Sequence, residues 1–195
     1  MGTVAIEVFP VDADRWADLT ELFGPSGAYS GCWCMWWRIP GREFGQNGNA
    51  GNHAALEAVV RRGEPVGLLA YADDGAPVGW AAVAPRSAYP RILRSPALKP
   101  ADPDEPGVWS VPCFFIARRS RRTGVAGALL DAAVGYARGE GAAVLEGYPV
   151  DTAAGRTPTA AELYTGTVAQ FARAGFMEHA RAATGRRVVM RRAAG

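Results

Sequence analysis

The sequence predicts an α/β (α+β) fold, a mixed central sheet of about seven strands with flanking helices, within a single domain spanning residues 1–195. Three observations carry this. Segments of strand period and helical period alternate as one strand, two helices, three strands, a helix, a strand, a helix and two strands. A glycine turn, Arg121-Arg122-Thr123-Gly124-Val125-Ala126, sits where an apolar strand gives way to a long helix. No linker or internal repeat divides the chain, whose length suits one domain with a real core.

Residues 4–11 alternate as a first strand, and Asp12 is placed to cap a helix ending at Phe23, before Gly24-Pro25. Cys32-Trp-Cys-Met-Trp-Trp-Arg38 follows, then a Gly/Asn-rich stretch, 41–52, that reads as loop, and a short helix over 53–62. Residues 66–72 and 78–83 form a hairpin about Asp73-Asp74-Gly75. A Pro- and Arg-rich excursion, 84–107, lacks periodicity, which in a compact domain marks a functional loop. Residues 108–116 form the central strand, where Pro112 lacks the N–H that pairing needs and so marks a bulge or break. From Val125 one helical face stays apolar through Ala137 and ends at Gly139 and Gly141. A strand over 143–148, a loop over 151–158, a helix over 160–174 and strands over 176–182 and 187–191 complete the chain.

Composition narrows the function classes. Hydrophobic residues at 49% and charged residues at 21% are ordinary for a globular protein. A net charge of +2 is too small to argue for nucleic acid or an anionic membrane as partner. No apolar run reaches membrane-spanning length, and Glu7 interrupts the first one, so neither a span nor a secretory leader is expected. Three cysteines make no disulfide framework and point to reduced thiols in the cytoplasm. Cys32 and Cys34 lack the further ligands at matching spacing that structural zinc requires, so no metal is expected.

The glycine turn carries the sharpest chemical signal. Glycine lets the backbone approach a ligand without a Cβ in the way, and the following helix aims its free N–H groups and positive dipole end at that point. No lysine and hydroxyl follow Gly124 at the spacing of a Walker loop. The Arg-x-x-Gly-x-Ala pattern at 121–126, the aliphatic strand before it and Ala174-Gly175-Phe176 near the end resemble the GNAT superfamily of acyl-CoA-dependent N-acetyltransferases. The resemblance implies a sheet splayed between the fourth and fifth strands, and acetyl-CoA as cofactor. It assigns the pyrophosphate of coenzyme A to Arg121, Arg122, Thr123, Gly124, Val125 and Ala126, and the pantetheine arm to the backbone of Phe115, Ile116 and Ala117. A monomer or homodimer is expected.

Amine acetylation needs a proton acceptor for the ammonium and a proton donor for the departing thiolate. Glu146 is the first candidate acceptor, since it lies in an otherwise apolar strand beside the implied splay; its competing role is ion pairing with an arginine. Asp151 and Glu162 follow, and His53 and His179 rank lower. Many relatives of this type carry a tyrosine five residues before the phenylalanine of Gly-Phe, where this chain has Phe171; Tyr164 is the candidate substitute donor. Cys113 offers a covalent alternative as an acyl acceptor. Trp33, Trp36, Trp37 and Arg38, with Tyr89 from the long loop and Asp151, are the candidate acceptor-binding residues. The expected acceptor is a small-molecule amine, an amino-sugar antibiotic being one case. The alternatives are a protein N-terminus or lysine, and a non-catalytic acyl-CoA sensor.

Overall fold

The computed structural model describes residues 6–153, 157–182 and 185–195; Val4 and Ala5 of the first expected strand, and 154–156 of the loop over 151–158, lie outside them. In chain order the elements are β1 (Glu7–Pro10), α1 (Trp16–Phe23), α2 (Gly41–Arg61), β2 (Leu68–Tyr71), β3 (Pro77–Ala81), β4 (Ala84–Pro85), α3 (Pro90–Arg94), β5 (Val108–Val111), β6 (Phe114–Ile116), α4 (Val125–Gly139), β7 (Val144–Gly147), α5 (Ala160–Leu163), α6 (Val168–Arg173), β8 (Met177–Arg181) and β9 (Val188–Ala193). They make an α/β architecture in which the single sheet expected is two. One sheet has the order β1-β2-β3-β6 and the other β4-β5-β7-β9-β8.

The division has a local cause. Pro112 has no N–H to donate, and there residues 108–116 split into β5, parallel to β7, and β6, antiparallel to β3. The strand expected over 78–83 is β3, which ends at Ala81; β4 follows in the other sheet, inside the stretch expected as loop, and the Ala82 N–H donates to the Cys113 carbonyl at 2.9 Å across the break. Beyond Val111 and Gly147 the parallel pair separates, which is the splay between the fourth and fifth expected strands. Residues after α5 fill that gap, with the Phe114 N–H donating to the Tyr164 carbonyl at 2.6 Å.

Two apolar cores lie on opposite faces of the sheets. One packs α4 through Leu129, Leu130, Ala133 and Ala137 against Val78, Val111, Leu145 and Phe171. The other packs α1 and α2 through Leu19, Phe23, Leu56 and Val60 against Leu69, Trp80 and Tyr148. The first closes tightly enough that a Cβ at Gly147 would lie 2.0 Å from the Phe171 ring.

Three local expectations are corrected. Residues 41–52 are helical rather than loop, forming the first half of α2, which kinks at Gly48 (φ 57°). The helix expected over 160–174 is interrupted at Tyr164–Thr167, and each half has a threonine N-cap, Thr159 and Thr167. Asp12 caps the turn before α1 through the Arg15 N–H (2.9 Å), and the helix begins at Trp16.

Candidate active site

The turn between β6 and α4 folds as a cradle. Arg122 (φ 65°) and Gly124 (φ 94°) are both left-handed, which turns successive backbone N–H groups the same way. Gly124 is the N-cap of α4, a fifteen-residue helix whose first-turn N–H groups and dipole point into the cradle. The Thr123 hydroxyl donates to the Ser120 carbonyl at 2.8 Å and ties the turn down. Beside the cradle lies a groove of about 620 Å³, lined by Ile116, Arg121, Arg122, Gly124, Val125 and Ala126 from the expected set. Thr167, Gln170 and Arg173 of α6 form its far wall and were not expected; the Thr167-x-x-Gln170 cap, in which the Thr167 hydroxyl accepts the Gln170 N–H at 3.3 Å, is the signal that marks them.

From the cradle the open edge of β6 leads into the splay. Residues of an antiparallel strand turn their backbone groups alternately to one neighbour and the other. Ala117 donates to the Val78 carbonyl at 2.9 Å and Phe115 is paired with Trp80, so both direct their backbone groups to β3. The backbone groups of Phe115 and Ala117 are therefore taken up by β3 rather than free for a ligand, as was expected of them, and those of Phe114 and Ile116 face the open edge, where the Phe114 N–H is paired with the Tyr164 carbonyl. Arg121 Nε already donates to the Ile116 carbonyl there at 3.2 Å.

At the end of this edge a cavity of about 370 Å³ opens, with mostly apolar walls. Aromatic rings dominate it: Tyr29, Trp36, Trp37, Phe44, Phe115 and Tyr164. Its chemically active groups are Cys32, Cys34, Cys113, Glu162, Tyr164, Thr165 and Arg187. Tyr164 stacks on Phe115 (centroids 6.4 Å apart, planes at 16°), and burial holds its phenol above the ordinary range, so it stays protonated at neutral pH. Arg187, partly desolvated, donates to the Tyr148 carbonyl at 3.1 Å and to the Thr165 hydroxyl. Arg91 lies over the Trp36 ring at 3.8 Å and braces that wall from outside.

The cavity and the cradle share a further property. Among the described residues, the five non-glycine positions with positive φ are Ala28, Ser30, Trp33 and Cys34 beside the cavity and Arg122 in the cradle. Left-handed backbone costs roughly 1–3 kcal/mol per non-glycine residue and persists where surrounding structure enforces it, which is characteristic of binding sites.

Several expected residues lie elsewhere. Glu146 is 1% exposed and outside the cavity. Its Oε2 accepts from Arg191 Nε at 2.7 Å and Arg86 Nη1 at 3.5 Å, and its Oε1 from the Tyr148 hydroxyl at 2.6 Å. The ion-pairing role thus replaces the proton-accepting one. Trp33 is core: its N–H donates to Asn49 Oδ1 at 2.6 Å and its ring packs on His53 and Phe23. Tyr89 is fully buried beneath Arg38, which donates to the Pro65 carbonyl at 2.6 Å, so neither reaches the cavity. Asp151 pairs with Arg181 at 2.7 Å. Phe171 is buried against Phe114 and Phe176, so the ring at that position belongs to the core. Trp36, Trp37, Cys113, Phe115, Glu162 and Tyr164 are the expected residues that converge on the cavity. Cys32 and Cys34, weighed only as metal ligands, also line it, and Phe44 and Arg187 were missed because no local spacing links them to the rest.

A model of the acetyltransferase (GNAT) family matches residues 33–164. No curated protein matches the sequence. Similar solved structures include yncA of Salmonella typhimurium, assigned as an acetyltransferase and solved with acetyl-CoA (15% identity, 98% of this chain and 95% of that one, TM-score 0.54). The ribosomal-protein-alanine N-acetyltransferase of Brucella melitensis is similar over 96% of this chain and 99% of its own (18% identity, TM-score 0.53). A structure assigned as a phosphinothricin N-acetyltransferase covers 98% and 99% (11% identity, TM-score 0.55). At these identities the likeness is one of fold.

Proposed function

We propose that this chain, which belongs to the acetyltransferase (GNAT) family, transfers an acetyl group from acetyl-CoA to the primary amine of a small apolar molecule held in the aromatic cavity. The observation that carries this is that two spaces lie side by side along β6, Ile116 lining one and Phe114 and Phe115 the other. A polar groove at a left-handed glycine turn and helix N-terminus is followed along β6 by an apolar cavity. Acetyl-CoA, when bound, supplies the activated thioester. The cradle N–H groups from Arg122 to Ala126, with Arg121 and Arg122, fit its phosphates, and the Ile116 N–H and Phe114 carbonyl fit an amide-bearing arm entering the splay.

The cavity argues for the acceptor class. Eight aromatic residues line it, with Glu162 the single carboxylate among its described lining residues. A polycationic amino sugar would require several carboxylates there, so an amine with one apolar or aromatic body is the better fit. Glu162 receives the ammonium proton, directly or through a water, and Tyr164, protonated at neutral pH, donates one at the sulfur side. The amine attacks the thioester directly, without an acyl intermediate on Cys113.

Thiol release from acetyl-CoA tests the reading. An arylalkylamine panel should turn over well ahead of aminoglycosides and peptide N-termini. Absence of turnover with every amine, despite tight coenzyme A binding, would leave only a sensor. Tyr164→Phe and Glu162→Gln, the latter keeping an amide oxygen for the Thr159 cap, should each lower kcat by about a hundredfold while leaving coenzyme A affinity within threefold. Unchanged kcat in either variant removes that residue from proton transfer.

A further inference from the structure

Cys32, Cys34 and Cys113 all line the aromatic cavity, and none is in a disulfide. Two come from one turn, in which Trp33 (φ 42°) and Cys34 (φ 40°) are left-handed. The third comes from the break between β5 and β6. Cys34 is the most buried of the three, at 4% exposure, and Cys32 and Cys113 are half-buried. Direct acyl transfer uses none of them.

We propose that the three thiols form a hydroperoxide-responsive site whose stable oxidised form is a Cys34–Cys113 disulfide, tying the cavity turn to the broken central strand. Their environments differ in the way such a sequence needs. The Cys34 thiol donates to the Cys32 sulfur and, with surrounding backbone N–H groups, pulls its pKa down to about 6, so Cys32 is mostly thiolate at neutral pH. Hydrogen bonding with Cys113 and Cys32, together with burial, holds the Cys34 thiol well above its ordinary value, so it waits as the protonated partner.

The chemistry balances in three steps. The Cys32 thiolate attacks the terminal oxygen of a hydroperoxide and, with one proton, gives a sulfenic acid and an alcohol. Cys34 attacks that sulfur, and its proton leaves with the hydroxide as water. The resulting Cys32–Cys34 bridge spans two residues, too short a separation for relaxed disulfide geometry. Cys113 then attacks Cys34, giving up its proton to solvent, and the low-pKa Cys32 thiolate is the favoured leaving group. In net terms two thiols lose two electrons to the peroxide, which becomes alcohol and water. The product crosses the cavity at its junction with β6, so acetyl transfer should stop with it and return on reduction.

The test uses the whole chain, whose three cysteines make thiol counting simple. One equivalent of tert-butyl hydroperoxide should reduce titratable thiols from three to one, restored by dithiothreitol. Peptide mapping without reductant should join the Cys113 peptide to the one carrying Cys34, with Cys32 alkylatable. Cys32→Ser should slow oxidation about tenfold at pH 6, where an ordinary thiol is almost wholly protonated. Mapping of the unaltered chain reads the bridge without reference to turnover, so its result stands apart from the proposed acetyl transfer. Three thiols surviving the peroxide, a Cys32–Cys34 bridge as end product, or a disulfide between chains would each overturn the proposal.

Discussion

Glu146→Gln is expected to destabilise the protein by about 3–5 kcal/mol without reshaping the pH dependence of turnover. The carboxylate is the negative centre of a buried network, 1% exposed, with Arg86 at 2% and Arg191 at 16% side-chain exposure. Glutamine keeps the shape and an acceptor for the Tyr148 hydroxyl but removes the charge that compensates both guanidinium groups. Arg191 retains Glu105 at 2.7 Å, whereas Arg86 is left with the Asp102 and Pro103 carbonyls and a 3.7 Å contact to Glu105. Breaking a buried pair from one side costs about that much, because the remaining charge stays desolvated. Urea denaturation reads the loss, and turnover per folded molecule should stay within a few-fold of the unaltered protein. A Glu146→Gln variant of full stability that has lost turnover would return Glu146 to the chemistry.

The same residue shows why part of the site was hidden in the sequence. A glutamate in an apolar strand reads equally as catalyst or ion-pair partner, and only the fold brings in Arg191 and Arg86, 45 and 60 residues away. The cradle was legible because one short run of sequence supplies the glycine, the arginines and the helix start. The cavity assembles residues from a turn, a helix, a strand and three later segments, and no spacing rule connects Phe44 to Arg187. The structure sorts the tryptophan run into core and wall: Trp33 is 4% exposed and Trp36 46%.

The fold divides along similar lines. The break at Pro112 was legible because it follows from a missing N–H at one position. The first half of α2 was not, because Gly41, Gly45, Gly48 and the asparagines have low intrinsic helix preference. Tertiary bonds supply what propensity lacks: Asn49 accepts from Trp33 and donates to the Pro25 carbonyl at 2.8 Å, and Asn52 donates to the Gly31 carbonyl at 2.9 Å. The residues that read as loop formers are the ones that anchor the helix to the cavity turn. Tertiary context overrides local preference here, next to the site it shapes.

Gly124→Val should cost coenzyme A affinity far more than it costs the fold, and a matched variant separates the two effects. Gly124 and Gly141 stand at opposite ends of α4, with φ of 94° and 82°, and a Cβ at either would meet no atom within 4 Å. Valine at each therefore carries similar backbone strain, about 1–2 kcal/mol, with no clash against the protein. Only at Gly124 does the added side chain stand in the cradle, where it would shift the Arg122–Ala126 N–H groups and fill space a phosphate needs. Gly124→Val should raise the Kd for coenzyme A more than about tenfold, equivalent to at least about 1.4 kcal/mol. Gly141→Val should lower stability comparably and leave the Kd unchanged. Titration calorimetry with coenzyme A, beside thermal unfolding of both variants, makes the comparison. Equal affinity losses would mean that strain anywhere on α4 weakens binding, and equal retention would place the phosphates away from the Gly124 turn.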